Sequence, residues 1–150
     1  GMHVTLDTTG YAPREYLERL LPHTDLFLYD IKHLDDEEHL NYTGVSNQII
    51  LENLEWLAGK GARIRLRFPL IPGINNGTEH IRELEKLVLR LGNLIDGLDI
   101  LPYHKLGGHK YRSFGMEFRA VNIPEPAKEE VESLRARLTA NTGLQVGIGG

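Results

Sequence analysis

The chain has 150 residues, 41% apolar and 25% charged, with a formal net charge of −4 at neutral pH. These proportions suit a domain with a hydrophobic core and exclude a disordered chain or a basic nucleic-acid platform. No apolar run approaches the about 20 residues of a membrane-spanning helix and no leader is recognisable at Gly1-Met2-His3, so a soluble cytoplasmic protein is expected. Cysteine is absent, which excludes from this chain a disulfide scaffold, a thiol nucleophile and a cysteine-ligated metal or iron–sulfur site.

Strand-like segments fall at His3–Leu6, Leu26–Ile31, Ala62–Phe68, Leu98–Leu101 and Leu144–Ile148. Helical periodicity of about 3.6 fills the gaps between them. Pro13–Leu21 opens with proline in its first turn. Asn47–Ala58 places Ile50, Leu51, Leu54 and Leu57 on one stripe, with Asn47 as its cap and Gly59 and Gly61 as its stop. Thr78 is read as the cap of a third helix, buried through Ile81, Leu84, Leu87, Val88 and Leu91 and closed by Gly92. Pro126–Ala140 is a fourth, with Val131, Leu134 and Leu138 inward. Asp35-Asp36-Glu37-Glu38 reads as a solvated helix start, where carboxylates suit the dipole.

No repeat or linker interrupts the chain, so one domain over residues 1–150 is expected. Alternating strands and helices predict an α/β fold with a parallel sheet. The apolar run Leu26-Phe27-Leu28-Tyr29 reads as a strand covered on both faces. A closed eightfold barrel takes roughly 250 residues. About four βα units and one further strand fit here, so a partial barrel with an open sheet of four to five strands is expected, its first strand uncovered.

In such sheets ligands bind at the carboxyl ends of the strands. Asp7, Asp30, Arg67 and His104 stand at four successive predicted strand ends. Asp30 and Lys32 are two apart and share a strand face. Desolvated together, they need each other, Asp7 or a ligand as partners. Each also has a plain structural reading: a buried ion pair fixing register, a turn residue before Gly10, a strand-end salt bridge, a loop histidine. Four of them at one rim favour a site. His33 and His39 lack a third partner for a metal, and His3, His23 and His80 read as surface or packing residues. Trp56 reads as packing, and Gly107–Tyr111, with His109, as a lid or a turn.

The segments Asp7-Thr8-Thr9-Gly10-Tyr11, Asp30-Ile31-Lys32 … His39 … Thr43-Gly44-Val45-Ser46-Asn47 and Ile50-Leu51-Glu52-Asn53-Leu54 form one recognisable series. It continues through Arg67-Phe68-Pro69-Leu70-Ile71-Pro72-Gly73-Ile74-Asn75, Leu101-Pro102-Tyr103-His104-Lys105-Leu106-Gly107 and Lys110-Tyr111. In order, and over essentially the whole chain, it resembles the glycyl-radical-enzyme activating enzymes of the radical S-adenosylmethionine (SAM) superfamily. The resemblance implies a partial TIM-like barrel. It also implies a four-iron, four-sulfur (4Fe-4S) cluster on a C-x-x-x-C-x-x-C loop, and reductive cleavage of SAM to a 5′-deoxyadenosyl radical. That radical takes a hydrogen from a glycine of a partner such as pyruvate formate-lyase, with flavodoxin or ferredoxin as electron donor.

The cluster loop and the glycine-rich segment after it have no counterpart here, so the chain resembles the C-terminal part of such an enzyme. A trimmed polypeptide, a misjudged gene start and a truncated gene are all compatible with that. Carried over position by position, the resemblance implies that Asp7 and Asp30 lie near the methionine carboxylate with a monovalent cation between them. It implies further that Lys32 and His104 contact SAM and that Arg67 serves its carboxylate or a nearby loop. No catalytic residue and no metal ligand is assigned, and Pro72–Asn75 and Gly107–Tyr111 would flank the partner's entry cleft. Without cluster ligands the chain alone is expected to be inactive, with at most weak SAM binding.

Two other classes remain open. Asp30-Ile31-Lys32-His33-Leu34-Asp35 also resembles the D-x-K-x-x-D motif of orotidine monophosphate decarboxylase-type barrels, with Val146–Gly150 as a phosphate turn. Alternatively the chain is a non-catalytic interaction domain that dimerises through its uncovered first strand.

Overall fold

The computed structural model describes residues 1–105 and 123–149. Five strands form one parallel sheet in sequence order: β1 (Thr5–Thr8), β2 (Leu26–Asp30), β3 (Ile64–Leu70), β4 (Gly97–Pro102) and β5 (Val146–Ile148). Helix α1 (Arg14–Leu20) follows β1, and α2 (Asp36–Thr43) and α3 (Gln48–Gly59) follow β2. Helix α4 (Thr78–Leu91) follows β3, and α5 (Lys128–Thr142) precedes β5. The α/β class and the open sheet are those expected. The barrel is not closed, and β1 and β5 are the two edges.

Sequence order joined by right-handed crossovers puts the helices on one side of the sheet. Strand side chains alternate, so each strand sends one set into that layer and the other set away from it. Phe27, Tyr29, Ile64, Leu66, Phe68, Leu98 and Ile100 go inward and share one core with Leu54, Leu57, Leu84, Val88 and Leu134. Full burial of each such side chain stabilises by about 1.5–3 kcal/mol. The expectation of a doubly covered β2 is therefore corrected: the Phe27–Tyr29 face is buried in the core, whereas on the other face Leu26 and Leu28 stay partly exposed and only Asp30, at the strand end, is buried. On that second face the register aligns Asp7 with Leu28, Leu28 with Arg65, Asp30 with Arg67, and Arg67 with Asp99. One face of the sheet is oily and the other is charged.

Several boundaries move. The first strand lies two residues later than expected, because Val4 is held by the Asp25 carboxylate at 2.7 Å and pairing starts beyond it. Strand β3 runs through Pro69 to Leu70, so Arg67 sits within it. Pro69 falls beyond the last β2–β3 pair, Asp30 with Arg67, where its missing N–H breaks no ladder bond. Pro13 and Gly77 occupy the N-cap positions of α1 and α4, and Thr78 is the first helical residue. Asn47 precedes α3 but its side chain does not cap it. Asp35 does cap α2, accepting the Glu38 N–H at 2.9 Å, as the acidic run predicts. Trp56 packs on the core, with Arg14 and Lys60 5.4 and 5.9 Å from its ring centre.

Candidate functional site

Three charged side chains from adjacent strands meet near the carboxyl ends of β1–β3. The Arg67 guanidinium donates through Nε to Asp30 Oδ1 at 2.7 Å and through Nη2 to Asp7 Oδ1. The Asp30 side chain is 1% exposed and that of Asp7 is 61% exposed. The arginine thus bridges a buried carboxylate and one open to solvent. Burial works against its charge, but the bonds and fields of Asp30 and then Asp7 prevail and hold its pKa above the usual value. Burial pushes Asp30 above the ordinary carboxylate range, and its bond from Arg67 draws it back.

Lys32 lies just past β2, in the loop, and is buried. Its pKa is lowered to about 8, first by burial; the Asp30 charge opposes that and the Arg67 charge adds to it. The expectation that Lys32 shares a strand face with Asp30 is corrected, because β2 ends at Asp30. Asp30 accepts a hydrogen bond from Arg67 Nε.

His104 differs more. It follows β4, but its side chain is 67% exposed and its Nδ1 lies 3.8 Å from Glu125 Oε2. Among the described residues it does not join the Asp7–Arg67–Asp30 cluster. The next residue's backbone explains the placement: Lys105 N–H bonds the other Glu125 oxygen at 2.9 Å, drawing that carboxylate to the strand end. Three of the four expected rim residues gather, and the Gly107–Tyr111 segment with His109 lies outside the described residues.

The loops around the cluster are held by asparagines that residue-type reasoning passed over. Buried Asn75 donates to Lys32 O at 3.0 Å and Pro69 O at 2.5 Å and accepts from Ile71 N–H at 2.8 Å. It ties the loop after β3 to the loop that carries Lys32. Asn47 bonds the carbonyls of His33 and Leu34. Asn53 of α3 donates to Gly10 O and Ala12 O at 2.8 and 2.9 Å, fixing the loop after Asp7. Gly10 has a positive φ and its Cα lies against Tyr29, where a Cβ would stand 1.7 Å from the hydroxyl. That hydroxyl donates to Ile50 O at 2.5 Å.

His33 and His80 are buried beside these loops, with ring centres 4.3 Å apart. His80 Nε2 accepts the Leu34 N–H at 3.0 Å, and its pKa is lowered to about 4, first by burial and then by His33. His80 is thus a packing residue, one of the two expected options. His39 reaches the Val45 carbonyl at 2.7 Å through Nδ1. Among the described residues no group of three or more His, Asp or Glu is placed to hold a metal.

A second arginine–aspartate pair was also missed. Arg65 forks onto Asp99, Nε to Oδ2 and Nη2 to Oδ1, both at 2.6 Å. The signal was present: Arg65 and Arg67 are two apart on one strand and share a face. An open cleft of about 490 Å³ lies between Tyr11–Pro13 and the start of α3, with Glu52 in its wall.

No protein-family model matches the chain. It is 40% identical over its whole length to the trans-4-hydroxy-L-proline dehydratase activating enzyme of Clostridioides difficile, covering 49% of that protein. It is 34% identical to the pyruvate formate-lyase 1-activating enzyme of Escherichia coli K12 over 92% of this chain and 56% of that protein. A solved domain of a pyruvate-formate lyase-activating enzyme from Bacteroides vulgatus superposes with a TM-score of 0.81 at 27% identity, covering all of this chain and 83% of that one. A radical SAM methyltransferase from Sphaerobacter thermophilus, 16% identical with a TM-score of 0.67 over 97% of this chain and 39% of its own, shares the fold. The chain is a homologue of the glycyl-radical-enzyme activating enzymes and spans about half the length of the curated relatives it matches.

Proposed function

We propose that this chain is the C-terminal, SAM-binding part of a radical SAM activating enzyme that installs a glycyl radical on a cytoplasmic partner. Pyruvate formate-lyase or a related enzyme is that partner, and flavodoxin or ferredoxin is the electron donor. The observation that carries the reading is the Asp7–Arg67–Asp30 cluster at the strand ends, where αβ sheets of this type bind ligands.

A cysteine-ligated cluster does not fit the residues of this chain, which has no cysteine. The methionine end of SAM, an amine and a carboxylate on a cationic sulfur, does suit the cluster's mixed charges. Bound SAM supplies the sulfonium from which this family draws its adenosyl radical. The chain's own part is to bind and orient. Asp7, with its exposed carboxylate, meets the cationic portion of the ligand. Lys32 and Arg67 meet its carboxylate, Arg67 as a planar fork. Asp30 holds Arg67 in place. Arg67 already places positive charge between Asp7 and Asp30, so a monovalent cation adds to an existing bridge. His104 contacts the ligand only after leaving Glu125.

The decarboxylase alternative is weakened by Asp35, whose carboxylate is engaged as the α2 cap. Calorimetric titration of SAM into the chain tests the proposal. Weak binding is expected, lost in Arg67→Leu, with no methionine or 5′-deoxyadenosine formed under reducing conditions. Turnover by these 150 residues, or binding indifferent to Arg67→Leu, overturns it.

A further inference from the structure

Arg67 has a carboxylate in register on each side. The β2–β3 ladder puts it opposite Asp30, and the β3–β4 ladder puts it opposite Asp99. Adjacent strands lie only about 5 Å apart, so a long arginine side chain can reach either neighbour. In the structure it donates toward β2 and β1, to Asp30 and Asp7. The asymmetry has a visible source. Arg65, two residues earlier on the same face, engages both oxygens of Asp99 in a fork at 2.6 Å each.

The sheet makes room for that fork. The Arg65 guanidinium lies across Gly97, where a Cβ would stand 2.3 Å from Nη1. Asp99 lies across Gly147, where a Cβ would stand 2.5 Å from Oδ1. Neither glycine has a positive φ, so the space, and not the backbone conformation, calls for a missing side chain.

We propose that Arg65 is a positioning residue: by occupying Asp99 it leaves Asp7 and Asp30 as the carboxylates toward which the Arg67 guanidinium is aimed. The consequence for a bound ligand rests on the reading of Arg67 as part of a SAM site; the aiming itself does not.

The test reads Arg67 in the ligand-free chain. Its Nε proton, bonded to Asp30, gives an NMR signal whose exchange with water reports that bond. In Arg65→Met, Asp99 loses its fork and competes for Arg67, and exchange is expected to speed up about tenfold, equivalent to about 1.4 kcal/mol. In the double variant Arg65→Met with Asp99→Asn the competing charge is gone, and exchange returns to the wild-type rate. Gly147→Ala, which dislodges Asp99 while keeping both arginines, gives a smaller acceleration and serves if Arg65→Met does not fold. An unchanged Arg67 signal in the single variants, or equal acceleration in the single and double variants, overturns the proposal in favour of a pair that only fixes register. SAM titration of the wild-type chain fails or succeeds independently of this signal, so the two readings fall separately.

Discussion

The charged face of the sheet carries two arginine–aspartate arrangements, two residues apart, and they are built differently. The one farther from the carboxyl ends of the strands, Arg65 with Asp99, is closed: both carboxylate oxygens and two guanidinium nitrogens face each other, and both partners sit within strands. The outer one, Arg67 with Asp30 and Asp7, is shared among three strands and opens to water through Asp7. A closed fork spends its bonding on itself. A shared guanidinium next to strand ends and a buried lysine leaves charge that a ligand can engage. On the proposed reading, position relative to the strand ends, more than residue type, separates a structural ion pair from a binding one.

Four measurements break or sharpen that contrast. The largest effect is expected from Arg67→Leu, which strands the Asp30 carboxylate in a site 1% exposed to water. Leaving a buried charge unpaired costs about 3–5 kcal/mol, read as a fall in unfolding free energy in urea, and Asp30→Asn on top should recover part of it. A loss below about 1 kcal/mol would mean that Arg67 is as dispensable as a surface pair. Next comes Asn75→Ala, which removes three buried bonds, two within the end of β3 and the segment after it and one, to Lys32 O, that ties that segment to the neighbouring loop. Unsatisfied buried groups cost about 1–3 kcal/mol each. A drop of about 2 kcal/mol is expected, with SAM binding weakened along with it, because Lys32 hangs from the same loop.

The third is a pH dependence confined to the outer region. His80 has a folded pKa lowered to about 4, against an unfolded value near 6.5. Below 6.5 the unfolded chain binds the proton and the folded chain resists it. Stability is therefore full above about pH 6.5 and falls as pH drops toward 4, by on the order of 2 kcal/mol. His39 is lowered in the same direction, first by its burial, and adds to the slope. Urea midpoints between pH 7 and pH 4 check this, and His80→Gln should flatten the curve; an equally steep curve would acquit His80. The smallest effect belongs to Asp7→Asn. Its exposed side chain makes a pair worth under about 1 kcal/mol to stability, so folding stays near wild type while SAM affinity drops. A large stability loss would place Asp7 with the closed pair.

Much of the outer cluster was legible in the residues. Asp7, Asp30 and Arg67 were found because parallel sheets bind at their carboxyl ends and each stands close to the end of a strand. His104 was found by the same rule and misplaced by it, because the rule locates a backbone position and not a side chain; Glu125, from beyond the next segment, lies beside it. Thr78 was read as a cap from its residue type, while Gly77 holds that position in an extended conformation. Asn47, Asn53 and Asn75 were invisible as anchors because their partners are backbone carbonyls, which every residue has. The Asp99 partner of Arg65 is 34 positions away, and only register pairs them.

The order of strands and helices, the apolar layer and the capping of α2 were determined by local pattern: periodicity, chain length between segments, and the charge of a helix's first turn. These depend on interactions a few residues in range, and sequence carries them directly. Tertiary structure alone decided which aspartate each arginine takes, which face of β2 is wet, and where His104 turns. Those choices depend on distances between strands remote in the chain, where a shift of one register position would exchange every partner.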